Sequence, residues 1–315
     1  MKAVLHYRAS DGFRAMLAGY ARAAGISAVV VDEFDDDAFA REIADADVLL
    51  HVLKPVTARM IGGALGLRLV QKLGVGVNTI DLQACKAAGV AVSNMPGTNS
   101  QAVAEMTLAL MLSVLRRLSY LDPLTRQGQG WQPDPDLIDG VGEIRGRTVG
   151  FVGYGGSASR LGPALEALGA SVIYTARSAK PELPGRFVGL DELLCEADIV
   201  SLHLPLTPET QHMIDAGALA SMKKGAILIN TARGGLVDEA ALVSALCSGQ
   251  LSGAGLDVFD REPVDPDNPL LSLPNVVVAP HQAWLTPETL DRSLAAAFEN
   301  IRRLQAGEPL LNQVV

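Results

Sequence analysis

The sequence predicts an α/β fold made of two Rossmann-like domains, each a doubly wound parallel sheet. Short apolar runs alternate with helical patterns in two successive sets along the 315 residues, and this alternation is typical of parallel sheets covered by helices. A glycine-rich turn within residues 148–181 opens the second set. The chain ends in one helical stretch that cannot build a domain alone. We therefore expect one domain from 1–96 and 285–315, with the other, 97–284, inserted in it.

The first set of elements occupies residues 1–95. Helical patterns at 13–24 and 35–44 separate short apolar runs that have the length of buried strands. The predicted strands of this set are 2–7, 28–31, 48–53, 67–73 and 90–93.

A long helical pattern follows, from residue 100 to about residue 121. It is almost entirely apolar through Leu115, and a helix that is apolar on every side must be buried. We expect it to lie between domains or against a second subunit. Residues 122–142 are rich in Pro, Gly and Asp, which predicts a loop.

The second set runs from residue 148 to residue 281, and a helical stretch at 287–306 closes the chain. The glycine turn assigns this set to the coenzyme domain. Its predicted strands are 149–152, 172–174, 199–204, 226–230, 253–258 and 276–279.

The turn itself has the composition of a dinucleotide-binding fingerprint. Gly153 permits a tight turn after a strand, and Gly155 leaves room for a pyrophosphate at the N-terminus of the next helix. Gly156 and Ser157 follow, and Ala158 is small enough for close packing of helix and strand. Glycine turns also join strands to helices in unrelated folds, but here both flanking strands and the helix are predicted.

The residues beyond the second strand favour NADP(H), with NAD(H) possible. An acidic residue about 20 positions after the glycines usually binds the ribose 2′-hydroxyl of NAD. Here Arg177 and Ser178 occupy that place, and Lys180 follows. A guanidinium pairs with a 2′-phosphate, which a carboxylate would repel. The alternative is that these are solvated loop residues.

Three polar side chains follow strands of the second set, at the edge where open α/β sheets bind ligands. Reducing a carbonyl with a hydride requires a proton donor near neutral pH, for which His281 is the candidate. Glu262 would orient the imidazole and favour its protonated form. Arg233 would grip a carboxylate or a carbonyl oxygen. Taken singly, each residue also has a purely structural explanation. Arg233 could be a surface arginine, Glu262 part of a solvated loop, and His281 a structural histidine.

Other classes of protein are excluded by composition and motif. The net charge of −9 carries no basic patch for nucleic acid, and no apolar stretch has the length of a membrane span. The five histidines form no metal-binding cluster, and the chain has no G-x-S-x-G motif of a serine hydrolase. The absence of a signal peptide predicts a cytoplasmic protein, and Cys195 and Cys247, in helical stretches, are expected to be buried thiols.

Five segments together resemble the D-isomer-specific 2-hydroxyacid dehydrogenase family. They are NMPGTNSQAVAEMTLALMLSVLRR (94–117), LHLPLTPET (202–210), NTARGGLVDEAAL (230–242), GAGLDVFDREP (253–263) and APH (279–281). The resemblance covers nearly the whole chain, and several long segments at family-like spacing are far more specific than one glycine turn.

The resemblance implies a role for each candidate residue. His281 is the acid/base, Glu262 tunes it, and Arg233 binds a small 2-keto acid. The backbone N–H groups of Val75 and Gly76 hold the substrate carboxylate. Asp257 matches the family position that contacts the nicotinamide carboxamide. The full set of implied coenzyme contacts is Gly153, Gly155, Gly156, Ser157, Ala158, Arg177, Ser178, Pro205, Thr210, Thr231, Ala232 and Asp257.

Within this family the sequence is most similar to the glyoxylate/hydroxypyruvate reductases, through YTARSAKPELP (174–184). Glu262 argues against formate dehydrogenases, which lack it, and Val75 stands where phosphite dehydrogenases have a lysine. Trp284 departs from the usual family pattern and either narrows the substrate pocket or shapes a subunit contact. Gly156-Ser157 replaces the usual Arg-Ile, and Ala158 replaces a glycine.

The resemblance leaves alternatives open. A corepressor-type protein that senses nicotinamide redox state has the same fold and also carries a Trp three residues after the histidine. Dehydrogenases for lactate-like or phosphoglycerate-like acids are further options. We expect a homodimer formed through the apolar helix near residues 100–121, and no metal, nucleic-acid or membrane partner.

Overall fold

The computed structural model describes residues 1–131, 137 and 140–315. It divides the chain into two units, Met1–Asn99 with Leu285–Val315, and Ser100–Trp284. Both contain a parallel sheet covered by helices, so the predicted α/β fold class is confirmed. We describe each unit by itself.

The first unit contains a five-stranded parallel sheet. Its strands are β1 (Lys2–His6), β2 (Ser27–Val31), β3 (Val48–His51), β4 (Leu69–Lys72) and β5 (Ala91–Ser93), and they lie in the order β2-β1-β3-β4-β5. Its helices are α1 (Asp11–Ala24), α2 (Asp36–Ile43), α3 (Ala58–Gly63), α4 (Leu82–Ala87) and the last helix of the chain, α11 (Pro287–Ala306).

Local signals set the boundaries of the last helix, α11. The Thr286 hydroxyl caps its N-terminus by accepting from the Thr289 N–H, and Pro287 occupies the first turn, where its missing N–H costs nothing. Gly307 ends it in a left-handed conformation (φ 68°). On its buried face the Asn300 side chain donates to Gln71 Oε1 of β4 at 2.7 Å. The helix is therefore bound to the first unit by a buried polar contact as well as by apolar packing.

The second unit contains a seven-stranded parallel sheet. Its strands are β6 (Thr148–Val152), β7 (Ser171–Thr175), β8 (Arg186–Phe187), β9 (Ile199–Leu202), β10 (Ala226–Asn230), β11 (Leu251–Leu256) and β12 (Val276–Val278), in the order β12-β11-β10-β9-β6-β7-β8. Six of these match predicted strands, and the two-residue β8 was not predicted. The direction of strand succession reverses between β6 and β9, and ligands of open α/β sheets bind at such a switch point.

The helices of the second unit pack on both sides of this sheet. They are α5 (Ser100–Leu115), α6 (Leu118–Arg126), α7 (Gly156–Ala167), α8 (Leu190–Glu196), α9 (Ala216–Ser221) and α10 (Glu239–Cys247). Helix α5 packs on β10, β11 and α7. Gly253 and Gly255 allow this close approach, because a Cβ at either position would lie within 3.0 Å of Val114 or Leu110.

The predicted helix 100–121 is in fact two helices. Arg117 adopts a left-handed conformation (φ 50°), which a helix cannot continue through, so α5 ends at Leu115 and α6 begins at Leu118. The predicted loop 122–142 is wrong as far as Arg126, where α6 ends despite an internal proline. Residues 132–136, 138 and 139 of that predicted loop lie outside the described residues.

The prediction of buried thiols is wrong for Cys195 and Cys247, which are exposed, while Cys85 is buried. Both exposed cysteines lie in helices, as predicted, but on their solvent faces, which the apolar pattern around them did not distinguish. In the part of the chain that the structure describes, no helix is both long and apolar enough to span a bilayer.

Candidate active site

Arg233 lies in a turn that follows β10 at the carboxyl edge of the second sheet. The Asn230 side chain braces this turn, donating to the Arg233 carbonyl at 2.8 Å and accepting from the Ala232 N–H at 3.0 Å. The guanidinium donates to the Ala232 carbonyl through Nη1 at 2.6 Å. Its remaining N–H groups make no hydrogen bond within the described residues. Arg233 therefore keeps donors for a planar anionic ligand.

Gly234 allows the Arg233 turn to contact the loop after β11. A Cβ at this position would overlap the carbonyl carbon and oxygen of Phe259 and the amide nitrogen of Asp260. Any other residue would therefore separate the two loops. Sequence reasoning missed Gly234, and the Gly234-Gly235 pair was the only available signal.

Asp257, at the end of β11, anchors the turn that carries His281. Its backbone carbonyl accepts from the His281 N–H at 2.7 Å, and its carboxylate oxygens accept from the Gln282 and Ala283 N–H groups at 2.8 and 2.9 Å. His281 itself has a left-handed backbone (φ 54°), which is unusual for a residue other than glycine. Such backbone strain persists where surrounding contacts impose it, and it is enriched at functional sites.

The His281 and Glu262 side chains form a direct hydrogen bond, with 2.6 Å between Nδ1 and Oε2. The second Glu262 oxygen accepts from the Phe259 N–H at 3.0 Å, which fixes the carboxylate. The His281 side chain is 21% exposed, and its Nε2 has no partner within the described residues. The imidazole is therefore held at one nitrogen and presents the other, which is the arrangement that proton transfer to a ligand requires.

The electrostatics of this group favour the ionised form of Glu262. Burial acts to raise the pKa of Glu262, but the hydrogen bond and positive charge of His281, the Phe259 N–H and the charge of Arg233 together lower it below its ordinary value. Burial lowers the pKa of Arg233, and the charge of Glu262 opposes that effect. The Glu262 carboxylate is therefore stabilised in its ionised form by its hydrogen bond to His281 and by the charge of Arg233.

Replacing Glu262 by glutamine tests this arrangement through the pH dependence of stability. Because the folded-state pKa of Glu262 is lowered, its carboxylate stabilises the fold fully above the ordinary value of 4.5, and this contribution is lost as the pH falls through the lowered value. We expect the difference in Tm between wild type and Glu262→Gln to shrink as the pH falls from about 6 to about 3. Glu182→Gln, at an exposed loop position, is the control. A Tm difference that does not vary with pH would contradict the pairing.

The glycine turn lies at the switch point between β6 and β9. Gly153 has a φ of 89°, and a Cβ there would lie 2.7 Å from the His203 carbonyl oxygen. Gly155 is the N-cap of α7 and provides no side-chain cap, so the first N–H groups of this helix are free to bind an anion. Ala158 is completely buried against the sheet. These features fit a dinucleotide, whose pyrophosphate the α7 N–H groups would hold.

Ser157 contacts a half-buried histidine that sequence reasoning missed. Its hydroxyl lies 3.1 Å from His203 Nδ1, and the other ring nitrogen lies 2.9 Å from the Ser201 hydroxyl. Burial lowers the pKa of His203 to about 4, so the ring is neutral at physiological pH. Its position in LHLPLTPET was the only available signal. The contact holds Ser157 in place at the start of α7.

Arg177 and Ser178 follow β7 and are exposed. Arg177 makes no hydrogen bond or ion pair with any described residue. The turn is held by the Lys180 N–H, which donates to the Tyr174 hydroxyl at 2.7 Å. The guanidinium is thus free to meet an anionic group of a ligand.

The other predicted coenzyme residues lie in turns of the second unit. Thr210 donates to the Pro205 carbonyl at 2.9 Å, and the buried Thr231 hydroxyl lies 2.9 Å from that of Thr107 in α5. Ala232 accepts from Arg233, as described above. Asp257 is 1% exposed and its carboxylate is engaged by the 281–283 turn.

The remaining predicted substrate residues are divided between the units. Trp284 of the second unit donates through Nε1 to the His281 carbonyl at 3.2 Å, which supports the turn. Val75 and Gly76 belong to the first unit, in a loop after β4 where the Val75 carbonyl accepts from the Asn94 side chain at 2.8 Å. Across the described ranges, the structure contains no cluster of His, Cys, Asp and Glu suited to a metal ion.

Comparison with known proteins adds the family. Residues 108–283 match the family described as "D-isomer specific 2-hydroxyacid dehydrogenase, NAD binding domain". A glyoxylate reductase of Aeropyrum pernix is 41% identical over 273 residues, which are 84% of this chain and 81% of that protein. A D-3-phosphoglycerate dehydrogenase of Mycobacterium tuberculosis is 40% identical over 283 residues, 88% of this chain but 53% of that protein. The crystal structure of the TT0316 protein from Thermus thermophilus superposes over 100% of both chains with a TM-score of 0.90 and 38% identity.

Proposed function

The chain belongs to the D-isomer-specific 2-hydroxyacid dehydrogenase family, and on that premise we propose that it works mainly as an NADPH-dependent reductase of glyoxylate or hydroxypyruvate. Family membership makes it an NAD(P)-dependent oxidoreductase acting on small 2-hydroxy or 2-keto acids. The choice of substrate draws on the glyoxylate reductase relatives, and the choice of coenzyme on Arg177 and Ser178.

The hydrogen bond between His281 and Glu262, beside the charge of Arg233, is the observation that carries the proposal. A bound nicotinamide supplies the hydride. Arg233 grips the substrate through its free N–H groups and polarises the carbonyl oxygen. His281, held at Nδ1 by Glu262, donates a proton from Nε2 to that oxygen, and Glu262 stabilises the imidazolium before the transfer. In the oxidative direction the neutral imidazole accepts the same proton.

Two further assignments rest on the family resemblance. The backbone N–H groups of Val75 and Gly76 are proposed to bind the substrate carboxylate. Trp284 is proposed to narrow the substrate pocket, and its hydrogen bond to the His281 carbonyl supports this assignment.

Arg177→Asp is expected to reverse the coenzyme preference. The exchange removes a charge-assisted pair with the 2′-phosphate and adds repulsion, so kcat/KM with NADPH should fall by at least about tenfold. Steady-state kinetics of the variant with NADH provide the internal control. Because NADH lacks the 2′-phosphate, kcat/KM with NADH should change little. Equal losses with both coenzymes would exclude Arg177 as the anchor of the 2′-phosphate.

A panel of keto acids assayed with NADH and with NADPH tests the proposed function. The acids to compare by kcat/KM are glyoxylate, hydroxypyruvate, pyruvate and phosphohydroxypyruvate. Phosphohydroxypyruvate is included because similarity to the D-3-phosphoglycerate dehydrogenase of M. tuberculosis makes a phosphoglycerate-type substrate the second candidate. We expect glyoxylate or hydroxypyruvate with NADPH to give turnover near or above about one per second. No turnover with any of these acids would instead favour the redox-sensing alternative.

We also propose a homodimer in the cytoplasm. Helix α5 is covered by its own sheet, so its apolar composition alone no longer demands a second subunit. Leu112, Leu118 and Tyr120 remain exposed around the junction of α5 and α6 and provide an apolar surface for self-association. Light scattering at micromolar concentration tests the dimer, and a monomer would contradict it.

A further inference from the structure

A cavity of about 210 Å³ lies in the second unit, at the amino ends of β10, β11 and β12. Gly225 and Ile227 line it at the start of β10, and Ser252 lines it at the start of β11. Arg233 and the Asp257 anchor follow the opposite ends of these strands. A strand of five or six residues is roughly 17–20 Å long, so the cavity is separate from the candidate active site.

Two arginines line this cavity and neither has a carboxylate partner among the described residues. Arg117 Nε donates to the Gly140 carbonyl at 3.4 Å, and Arg147 Nε donates to the Glu143 carbonyl at 2.7 Å. Neither side chain makes any other hydrogen bond or ion pair with the described residues. Each guanidinium has five N–H groups, so four on each remain for a ligand.

The backbone around the two guanidiniums leaves room for them. A Cβ on Gly140 would lie 2.6 Å from Arg117 Nη2, and a Cβ on Gly142 would overlap Arg147 Nη2. Both positions therefore accept only glycine while the arginines keep these places. Arg117 is also the left-handed residue between the end of α5 and the start of α6. The glycines at positions 140 and 142 thus leave space for the Arg117 and Arg147 guanidiniums at this cavity.

The rest of the lining favours an anion. Ser113, Ser252 and Asn275 add hydroxyl and amide groups, and no Asp or Glu is among the described lining residues. Both guanidiniums reach the same cavity without a carboxylate partner among the described residues, so their charges are available to an anion there. Two planar forks with neighbouring hydroxyls match the oxygens of phosphate or carboxylate groups.

We propose that this cavity is a binding site for a small dianion, either a phosphate ester or a dicarboxylate. Its volume of about 210 Å³ is below the range typical of pockets for drug-sized ligands, which suits a molecule of a few carbon atoms with two anionic groups. The site does not depend on the proposed substrate or coenzyme, because none of its residues belongs to the catalytic group. It lies at the opposite end of the strands that Arg233 and Asp257 follow.

Calorimetric titration of the full chain with inorganic phosphate, and separately with succinate, tests the proposal. Saturating NADPH should be present to occupy the coenzyme site, at an ionic strength held constant with chloride. We expect saturable binding of one ion per chain for at least one probe, weakened about tenfold or more by Arg117→Gln and by Arg147→Gln. Phosphate binding alone indicates a phosphate-ester ligand, and succinate binding alone indicates a dicarboxylate.

Arg116→Gln is the matched control, because Arg116 is adjacent in sequence and exposed but does not line the cavity. It should leave the affinity unchanged. Arg117→Lys, which keeps the charge and loses the fork, tests the site if the glutamine variants fail to fold, and it should bind with intermediate affinity. Binding that does not saturate, or that survives both glutamine substitutions, overturns the proposal. It is also overturned if neither probe binds. In that case, dissociation of an oligomer by the glutamine variants in light scattering would show that a second copy occupies the cavity.

Discussion

His281→Gln should lower kcat for reduction of the preferred keto acid by about 10²- to 10⁴-fold, the range that a positioned general acid contributes. Glutamine retains a polar side chain but cannot transfer a proton near neutral pH. The Asp257 contacts to the 281–283 turn use only backbone N–H groups of that turn, so the fold of the turn should survive. Single-turnover measurements at saturating coenzyme would separate the chemical step from binding.

The matched control is His212→Gln. His212 also has a left-handed backbone (φ 50°), but its side chain is 44% exposed and lies 4.0 Å from Asp260 rather than in a short hydrogen bond. Its replacement should leave kcat within a few fold. Turnover of His281→Gln within a few fold of wild type, with the coenzyme still bound, would remove His281 from the mechanism.

Gly234→Ala should destabilise the second unit and impair catalysis together. The added methyl group would overlap the Phe259 carbonyl, and backbone atoms cannot move aside as the end of a flexible side chain can. Overpacking of this kind costs about 1–3 kcal/mol or more in the free energy of unfolding. This steric overlap can be relieved only if the Arg233 turn moves away from the loop that carries Glu262. We therefore expect kcat/KM to fall as well. Thermal unfolding and steady-state kinetics measure the two effects.

Gly235→Ala provides the comparison within the same turn. A Cβ there would lie 3.0 Å from Leu206 Cδ2, a side-chain atom that can shift. We expect a much smaller loss of Tm and of kcat/KM than for Gly234→Ala. Equal effects of the two substitutions would show that the contact with Phe259 is not what joins the loops.

Much of the fold was predictable because its signals are local. Buried parallel strands appear as short apolar runs, and the agreement of α11 with the predicted 287–306 reflects a threonine cap, a proline at the first turn and a terminal glycine. The prediction failed at Arg117, since a left-handed arginine has no sequence signature. It failed again at Cys195 and Cys247, where neighbouring apolar residues did not reveal which face of each helix meets solvent.

The sequence by itself determined that the chain forms two parallel-sheet domains. It also determined that Arg233, Glu262 and His281 each follow a strand of the second sheet. Their convergence could be predicted because the carboxyl ends of neighbouring parallel strands meet at one edge.

Only the tertiary structure decided the atomic pairing. The bond between Glu262 Oε2 and His281 Nδ1 and the overlap that requires glycine at 234 involve residues 19 and 25 positions apart, and the two arginines that line the cavity are 30 positions apart. The physical reason is that hydrogen bonds and steric exclusion act over a few ångströms. The periodicity of a sequence specifies which face of a helix or strand a residue occupies. The distances between atoms of separate loops are set only when folding brings those loops into contact.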